Sequence, residues 1–344
     1  MPPKGLMERL KNKEKVVVAE GYVFEAERRG YLQAGPFVPE FIVEKPNLLR
    51  NMYEEFVDCG SDVVLAFTYY AHRAKLRVIG KEDIVEKLNR TALQVAREVA
   101  NENNVLMAGN ICNTAIYEPT EEARKKCYEI FKEQIIWAVE EGADFIVAET
   151  FVDLNETKLA LKAIKEFGNG LPAVITVNCG GSGSTGDGVE IGKALRQLEE
   201  EGADVVGLNC GLGPETVIPL MKRAREACKG PLACLPVPYR TTPKEPTMFQ
   251  VTLPETGKRA FPDQLDMFLS CRAHVRKFTE EMVKIGVDYI GLCCGNRGIF
   301  TREMAETLGR RPKASRYTVD MNKHLSVIEH EYTLKMSKHI GLRD

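Results

Sequence analysis

Two short apolar runs each deliver cysteine to a glycine: V-V-G-L-N-C at 205–210, before Gly211, and Y-I-G-L-C-C-G at 289–295. Thiolates are soft ligands, and Cys210, Cys293 and Cys294 would offer three of them with a fourth position open. That is the make-up of a catalytic zinc site, in which substrate or water takes the fourth place; a structural site closes all four with protein ligands. There is no C-x-x-C spacing, and an adjacent Cys-Cys pair also reads as two buried thiols. On these residues alone both readings stand.

Cysteines this far apart in sequence meet only if their strands lie side by side. The phrase that precedes them recurs: C-G-S-D-V-V-L-A-F from Cys59, E-G-A-D-F-I-V-A-E from Glu141, E-G-A-D-V-V-G-L-N from Glu201 and I-G-V-D-Y-I-G-L-C from Ile285. Each copy reads as a helix end closed by glycine, a turn through aspartate, and a buried strand. Repeated helix-to-strand junctions imply parallel strands, because a hairpin leaves no room for a helix. Strands are predicted at 16–21, 62–70, 105–110, 145–150, 173–179, 205–210, 232–238 and 289–295, with the clearest helices at 47–59, 82–103, 121–141 and 264–285. Eight such units predict an α/β (β/α)8 TIM barrel. A doubly wound sheet is the alternative, weakened because no G-x-G-x-x-G follows the first strand.

Barrel enzymes work at the C-terminal ends of their strands. Those ends read Glu20-Gly21, Thr68-Tyr69-Tyr70, Asn110, Glu149-Thr150, Asn178-Cys179, Asn209-Cys210, Pro238-Tyr239 and Cys293-Cys294. Acid, amide, aromatic and thiol groups therefore gather at one mouth, and this favours the metal reading. Glu149, closing an apolar strand, calls for a partner, since an unpaired buried carboxylate is costly. Tyr70 and Phe37 read either as aromatic enclosure or as packing. Among the remaining cysteines only Cys179 is expected to see the mouth, ahead of a flexible G-G-S-G-S-T-G loop. The single Trp137 and the five histidines show no metal spacing.

A length of 344 residues admits one large domain or two ordinary ones, and 44% hydrophobic residues suffice for a full core. A net charge of -2 without a basic run gives no reason to expect nucleic acid. No stretch is apolar for the length of a membrane span, and the charged N-terminal run carries no signal-peptide pattern. Ten cysteines without those features point to reduced thiols in the cytoplasm. Two stretches lie outside the repeats. One is a long proline- and threonine-rich loop after strand 7, reaching Pro262, expected as a lid or an arm toward a neighbouring subunit. The other is a polar helix from about Asp320. The division expected is a catalytic barrel over 1–312 and a C-terminal helical extension over 313–344.

With those motifs assembled, the chain resembles the zinc-dependent homocysteine S-methyltransferase family, and its betaine-using branch most closely. The resemblance is densest at Y-V-F-E-A-E-R-R-G-Y-L-Q-A-G-P-F-V-P-E (22–40), A-F-T-Y-Y-A (66–71), V-A-E-T-F (147–151), G-L-N-C (207–210) and G-L-C-C-G (291–295), and it continues into D-M-N-K-H from Asp320. It implies Zn2+ on Cys210, Cys293 and Cys294, with the thiol of homocysteine in the open position. A methylated onium donor, betaine first, would supply the methyl group and methionine would leave. Glu149 matches the family's grip on the amino group of homocysteine, and Tyr70 its donor-site tyrosine. Phe37 stands where the family has tryptophan. Glu20, Gly21, Thr150 and Asn209 complete the expected substrate contacts. The C-terminal helix resembles part of an oligomerisation arm, which implies a homodimer or a dimer of dimers.

Four departures bear on specificity. Ala19-Glu20-Gly21 replaces an Asp-Gly-Gly sequence, Thr150 a tyrosine, Phe37 a tryptophan, and Gly291-Leu292 a Gly-Gly pair beside the cysteines. They leave open a sulfonium donor such as dimethylsulfoniopropionate or S-methylmethionine, and also a zinc-binding homologue without turnover.

Overall fold

The computed structural model describes residues 3–32, 37–323, 335–336 and 338–341. Eight parallel strands close into a barrel in sequence order: β1 (Val16–Ala19), β2 (Val63–Leu65), β3 (Leu106–Cys112), β4 (Phe145–Phe151), β5 (Ala173–Val177), β6 (Val205–Asn209), β7 (Leu232–Leu235) and β8 (Tyr289–Leu292). β8 pairs back onto β1, with Val16 opposite Tyr289 and Ala19 opposite Leu292. Every strand is buried along its whole length, as expected where helices cover one face and side chains fill the barrel.

The recurring phrase has a second role at the closed end. Gly60, Gly142, Gly202 and Gly286 take left-handed φ angles between 79° and 104°, which end the preceding helices. Two residues on, Asp62, Asp144 and Asp204 accept backbone N–H groups from Val17, Met107 and Ala173, at 2.7, 2.7 and 2.8 Å. The turn aspartate thus clasps the start of the adjoining strand. The fourth copy differs: Asp288 pairs with Lys15 at 2.8 Å.

Three expectations need correction. β2 stops at Leu65 and β8 at Leu292, short of their apolar runs, so Tyr69, Tyr70, Cys293 and Cys294 sit in turns beyond them, whereas β3 and β4 run on to Cys112 and Phe151 and carry Asn110 and Glu149 within the strand. The helix expected at 264–285 is a 3₁₀ turn (Leu265–Phe268) and then a helix (Arg272–Ile285). Arg240 and Ser270 donate backbone N–H to Phe268 and Pro238 across the intervening stretch, at 2.7 and 2.8 Å, and this pulls the chain out of helical register. The helix expected at 82–103 likewise opens with a 3₁₀ turn (Glu82–Ile84) before Val85–Asn103. From Asp320 a 3₁₀ turn (Met321–Lys323) is present; residues 324–334, where the expected arm helix would run, lie outside the described residues.

The long loop after β7 is packed. Met248, Val251, Leu253 and Ala260 form a small apolar cluster with Val237, Tyr239, Cys210 and Cys293, so the loop covers the thiols. Among the described residues no helix is long and apolar enough to cross a membrane.

Candidate metal centre and substrate cavities

The three cysteines expected to act together meet. Cys210 follows β6 with a left-handed φ of 59°, and its N–H donates to Leu235 at 2.9 Å; the N–H of Cys293 donates to Pro236 at 2.8 Å. The two turns that follow β6 and β8 are thus hung from the end of β7. The Sγ of Cys294 lies 3.9 Å from that of Cys210 and 3.8 Å from that of Cys293. Tetrahedral zinc with bonds of about 2.3 Å places sulfurs ~3.8 Å apart, which these two separations match, and all three sulfurs lie within 4.8 Å of one another. The charge balance fits too. Hydrogen bonds from Cys293 and Cys294 pull the Cys210 thiol well below its ordinary value, and the same contacts with Cys210 push the other two up. A divalent ion bound there would favour the thiolate form of all three.

Gly21 makes this approach feasible. Its φ is 76°, and a Cβ built there would lie 2.3 Å from the carbonyl carbon of Cys293 and 2.5 Å from the nitrogen of Cys294. Any side chain at position 21 would press on the peptide joining two ligands.

Beside Cys293 and Cys294 lies a small, largely apolar cavity lined by one carboxylate, Glu149, with a second, Glu20, buried close by. Glu149 is anchored by amides: Asn110 Nδ2 donates to Oε1 at 2.5 Å, Asn209 Nδ2 to Oε2 at 3.1 Å, and the Thr150 hydroxyl to Oε2 at 3.2 Å. Asn209 also faces the Cys293 sulfur at 3.9 Å, and its Oδ1 accepts the Thr150 N–H at 2.9 Å. Burial pushes the Glu149 carboxyl up to about 7. Glu20 is fully buried, and neither of its oxygens has a hydrogen-bond partner among the described residues. Burial first, and the charge on Glu149 second, hold its carboxyl well above the usual range; the amide of Asn209, near it but outside hydrogen-bond geometry, eases it. Asn110 was placed at the mouth by its strand position, yet the contact with Glu149 depends on the β3–β4 register, which pairs Asn110 with Val147 and Cys112 with Glu149.

On the other side of the sulfurs a wider cavity of about 320 Å³ is walled by Phe24, Phe37, Tyr69, Tyr70, Phe249 and Phe261, together with Cys210 and Cys294. Thr150, Tyr69 and Cys294 border both cavities, so Cys294 stands on the wall between them. Phe37, with a φ of 56°, sits 6.1 Å from Phe24, and Phe249 lies edge-on to Phe261 at 4.9 Å. Tyr69 was placed at the mouth by its strand end, whereas Phe24, Phe249 and Phe261 were not singled out from sequence. The last two come from the long loop, where no periodicity marks them.

Tyr70 is where expected but is already engaged. The Lys75 ammonium lies 4.0 Å from the centre of its ring, and the Tyr69 ring lies tilted against it at 4.3 Å, so less of its π surface is free for a ligand cation. Thr150 points its hydroxyl into the Glu149–Asn209 network. Leu292 is buried in the barrel and lines neither cavity. Cys179 does not face the mouth either: it is buried, its thiol turned to its neighbour Gly180, and Asn178 reaches the wide cavity in its place.

Residues 14–308 match the family profile described as homocysteine S-methyltransferase. The chain belongs to the homocysteine S-methyltransferase family. It is 35% identical over 314 residues to betaine–homocysteine S-methyltransferase 1 of Xenopus tropicalis, covering 89% of this chain and 75% of that protein. It is 33% identical over 317 residues to the S-methylmethionine–homocysteine S-methyltransferase of Pongo abelii, covering 89% and 81%. Among solved structures, the metallated homocysteine methyltransferase of Escherichia coli superposes with a TM-score of 0.68 at 16% identity, over 87% of this chain and 98% of that one. That superposition bears on the fold, which is the (β/α)8 barrel expected from the repeats.

Proposed function

We propose that this methyltransferase moves a methyl group from an onium donor, betaine first, to the thiol of homocysteine, with zinc held by Cys210, Cys293 and Cys294. The observation that carries the reading is the position of Cys294 between an acidic cavity and an aromatic one, 3.8 and 3.9 Å from the two other thiols. Bound there, zinc would strip the acceptor thiol of its proton and keep a thiolate available at neutral pH.

The chain's own residues supply the rest. Glu149, fixed by Asn110 and Asn209, presents a carboxylate to the acceptor's ammonium, and that cation in turn relieves the buried charge. Gly21 lets the turn after β1 lie against the peptide that joins Cys293 and Cys294. Phe24, Phe37 and Phe249 offer ring surface to a donor that cannot hydrogen-bond through its methyls, while the loop after β7 excludes water. Methyl transfer needs the acceptor sulfur, the methyl carbon and the leaving atom in line, so alignment by two adjoining cavities is the main contribution.

A sulfonium donor such as S-methylmethionine is the second reading. It is favoured by Thr150 and by the capped ring of Tyr70, which leave a weaker cage than a quaternary ammonium prefers. Metal-quantified protein assayed for methionine with homocysteine and a panel of betaine, S-methylmethionine and dimethylsulfoniopropionate tests both. Zinc with methionine from betaine bears out the first; zinc with methionine from sulfonium donors alone replaces it with the second. Zinc without product from any donor refutes turnover.

We further propose that 1–312 is the catalytic unit and that 313–344 serves assembly into a homodimer or dimer of dimers. The exposure of Tyr317 (65%) and Val319 (51%) supports a partner surface there. The reduced thiols suit the cytoplasm.

A further inference from the structure

An onium donor brings more than a cation into the wide cavity. In betaine a carboxylate stands one methylene from the quaternary nitrogen, so rings that take up the onium group also draw the carboxylate out of water. A carboxylate buried without hydrogen-bond donors is costly. Among the described residues no lysine, arginine or histidine lines this cavity. An amide can serve instead, because it donates without repelling the onium charge beside it. Two amides reach the wall. Asn113 is committed, its Nδ2 donating to the Thr150 carbonyl at 2.9 Å, and the Thr150 hydroxyl is turned to Glu149. Asn178 is free to act. Its Oδ1 accepts the Gly180 N–H at 3.0 Å, which fixes the amide and leaves Nδ2 without an acceptor among the described residues. Its place follows from register: β5 pairs with β6 with Val177 opposite Leu208, so Asn178 lies level with Asn209, one residue short of Cys210. A Cβ built on Gly211 would lie 2.9 Å from Asn178 Oδ1 and 3.1 Å from Nδ2, so the amide packs directly on the residue that follows the Cys210 thiol.

We infer that Asn178 binds the carboxylate of the methyl donor, and that the wide cavity thereby selects onium carboxylates over onium ions that lack one. The inference rests on the methyl-transfer reading above and adds a specificity residue to it. A turn role alone asks only for Oδ1, and an aspartate would supply that acceptor equally well. The two N–H groups of Nδ2 are what asparagine adds, on a wall otherwise made mostly of rings. The contact suits betaine and dimethylsulfoniopropionate, whose carboxylates lie one and two methylenes from the onium centre. It leaves choline or trimethylsulfonium with the rings alone.

The test uses the zinc-loaded full chain in the methionine assay. On each protein the KM for betaine is compared with the inhibition constant of choline, which carries the same trimethylammonium group. Trimethylsulfonium takes the place of choline if dimethylsulfoniopropionate is the donor used. The wild type is expected to favour the carboxylate-bearing ligand by about tenfold or more, the effect of a hydrogen bond to a charged group. Asn178→Asp keeps the acceptor for Gly180 and is expected to reverse that preference, because carboxylate would then face carboxylate. Asn178→Ala is expected to bring the preference to within about threefold. A preference unchanged from wild type in both variants would overturn the inference while leaving zinc-dependent transfer intact. An equal rise in homocysteine KM, or loss of zinc, would mark a general distortion of the mouth and overturn it as well. A wild type that binds betaine and choline alike would overturn it without any variant having to fold. Turnover of S-methylmethionine alone would also overturn it, since the carboxylate of that donor sits beside a second cation. No methionine from any donor would overturn the inference together with the reading it rests on.

Discussion

Replacing Gly21 by alanine tests the claim that the turn after β1 is pressed against the peptide joining Cys293 and Cys294. Two costs are separable. The first is conformational: a φ of 76° is left-handed, and an L side chain there costs about 1–2 kcal/mol. The second is steric: the new Cβ would begin 2.3 Å from the carbonyl carbon of Cys293, against backbone that cannot swing away like a side chain. Forcing an extra methyl into packed structure costs about 1–3 kcal/mol. Gly30 has nearly the same φ, 72°, and nothing within 4 Å of a built Cβ, so Gly30→Ala carries the first cost alone. Urea titration of the metal-free proteins should then show Gly30→Ala losing about 1–2 kcal/mol and Gly21→Ala about 2–5 kcal/mol. Zinc affinity, read by chelator competition, should be unchanged in Gly30→Ala and should fall about 10- to 100-fold in Gly21→Ala, because the peptide between two ligands must move. Equal losses of stability with equal zinc affinity would refute the reasoning, since the close approach of Gly21 to Cys293 would then carry no energetic weight.

Asn209→Ala removes one of the three donors to Glu149 and the amide that faces Cys293, so acceptor KM should rise by about 1–3 kcal/mol, roughly 5- to 150-fold. An acceptor KM within twofold of wild type would contradict the anchoring role. Lys75→Met removes a cation over Tyr70 and frees that ring face, so donor KM should fall by about 0.5–1 kcal/mol, roughly two- to fivefold; a rise would instead assign Lys75 to holding the donor. His72 is buried, and burial first, then Lys75, pull its imidazole down to about 4. The folded state therefore binds this proton more weakly than the unfolded chain does, and stability present above about 6.5 should be lost as pH falls toward 4, by up to ~3 kcal/mol. His72→Phe should flatten that slope in urea titrations at pH 4.5 and 7, and identical slopes would show that His72 does not carry it.

Much of the architecture is legible in the sequence because parallel barrel strands are buried throughout, and their apolar runs stand out between glycine-aspartate junctions. The same logic makes Cys210, Cys293, Cys294 and Glu149 recognisable: chemically expensive groups placed at the ends of apolar strands. Strand length is less legible, since hydrophobicity continues past the last ladder hydrogen bond into the turns that form the mouth.

What only tertiary structure decides is which of these groups face one another. Glu20 meets Cys293 because closure pairs β1 with β8, two segments at opposite ends of the chain. The anchoring of Glu149 by Asn110 likewise depends on inter-strand register, which a single strand does not encode. Lys75 reaches Tyr70 through the turn of a short helix (Arg73–Val78), and Phe249 and Phe261 arrive on a loop without periodicity. Composition and spacing determine which chemistry the chain can host. Closing the barrel determines which carboxylate lies beside the sulfurs, because contacts between distant segments are set by packing and register.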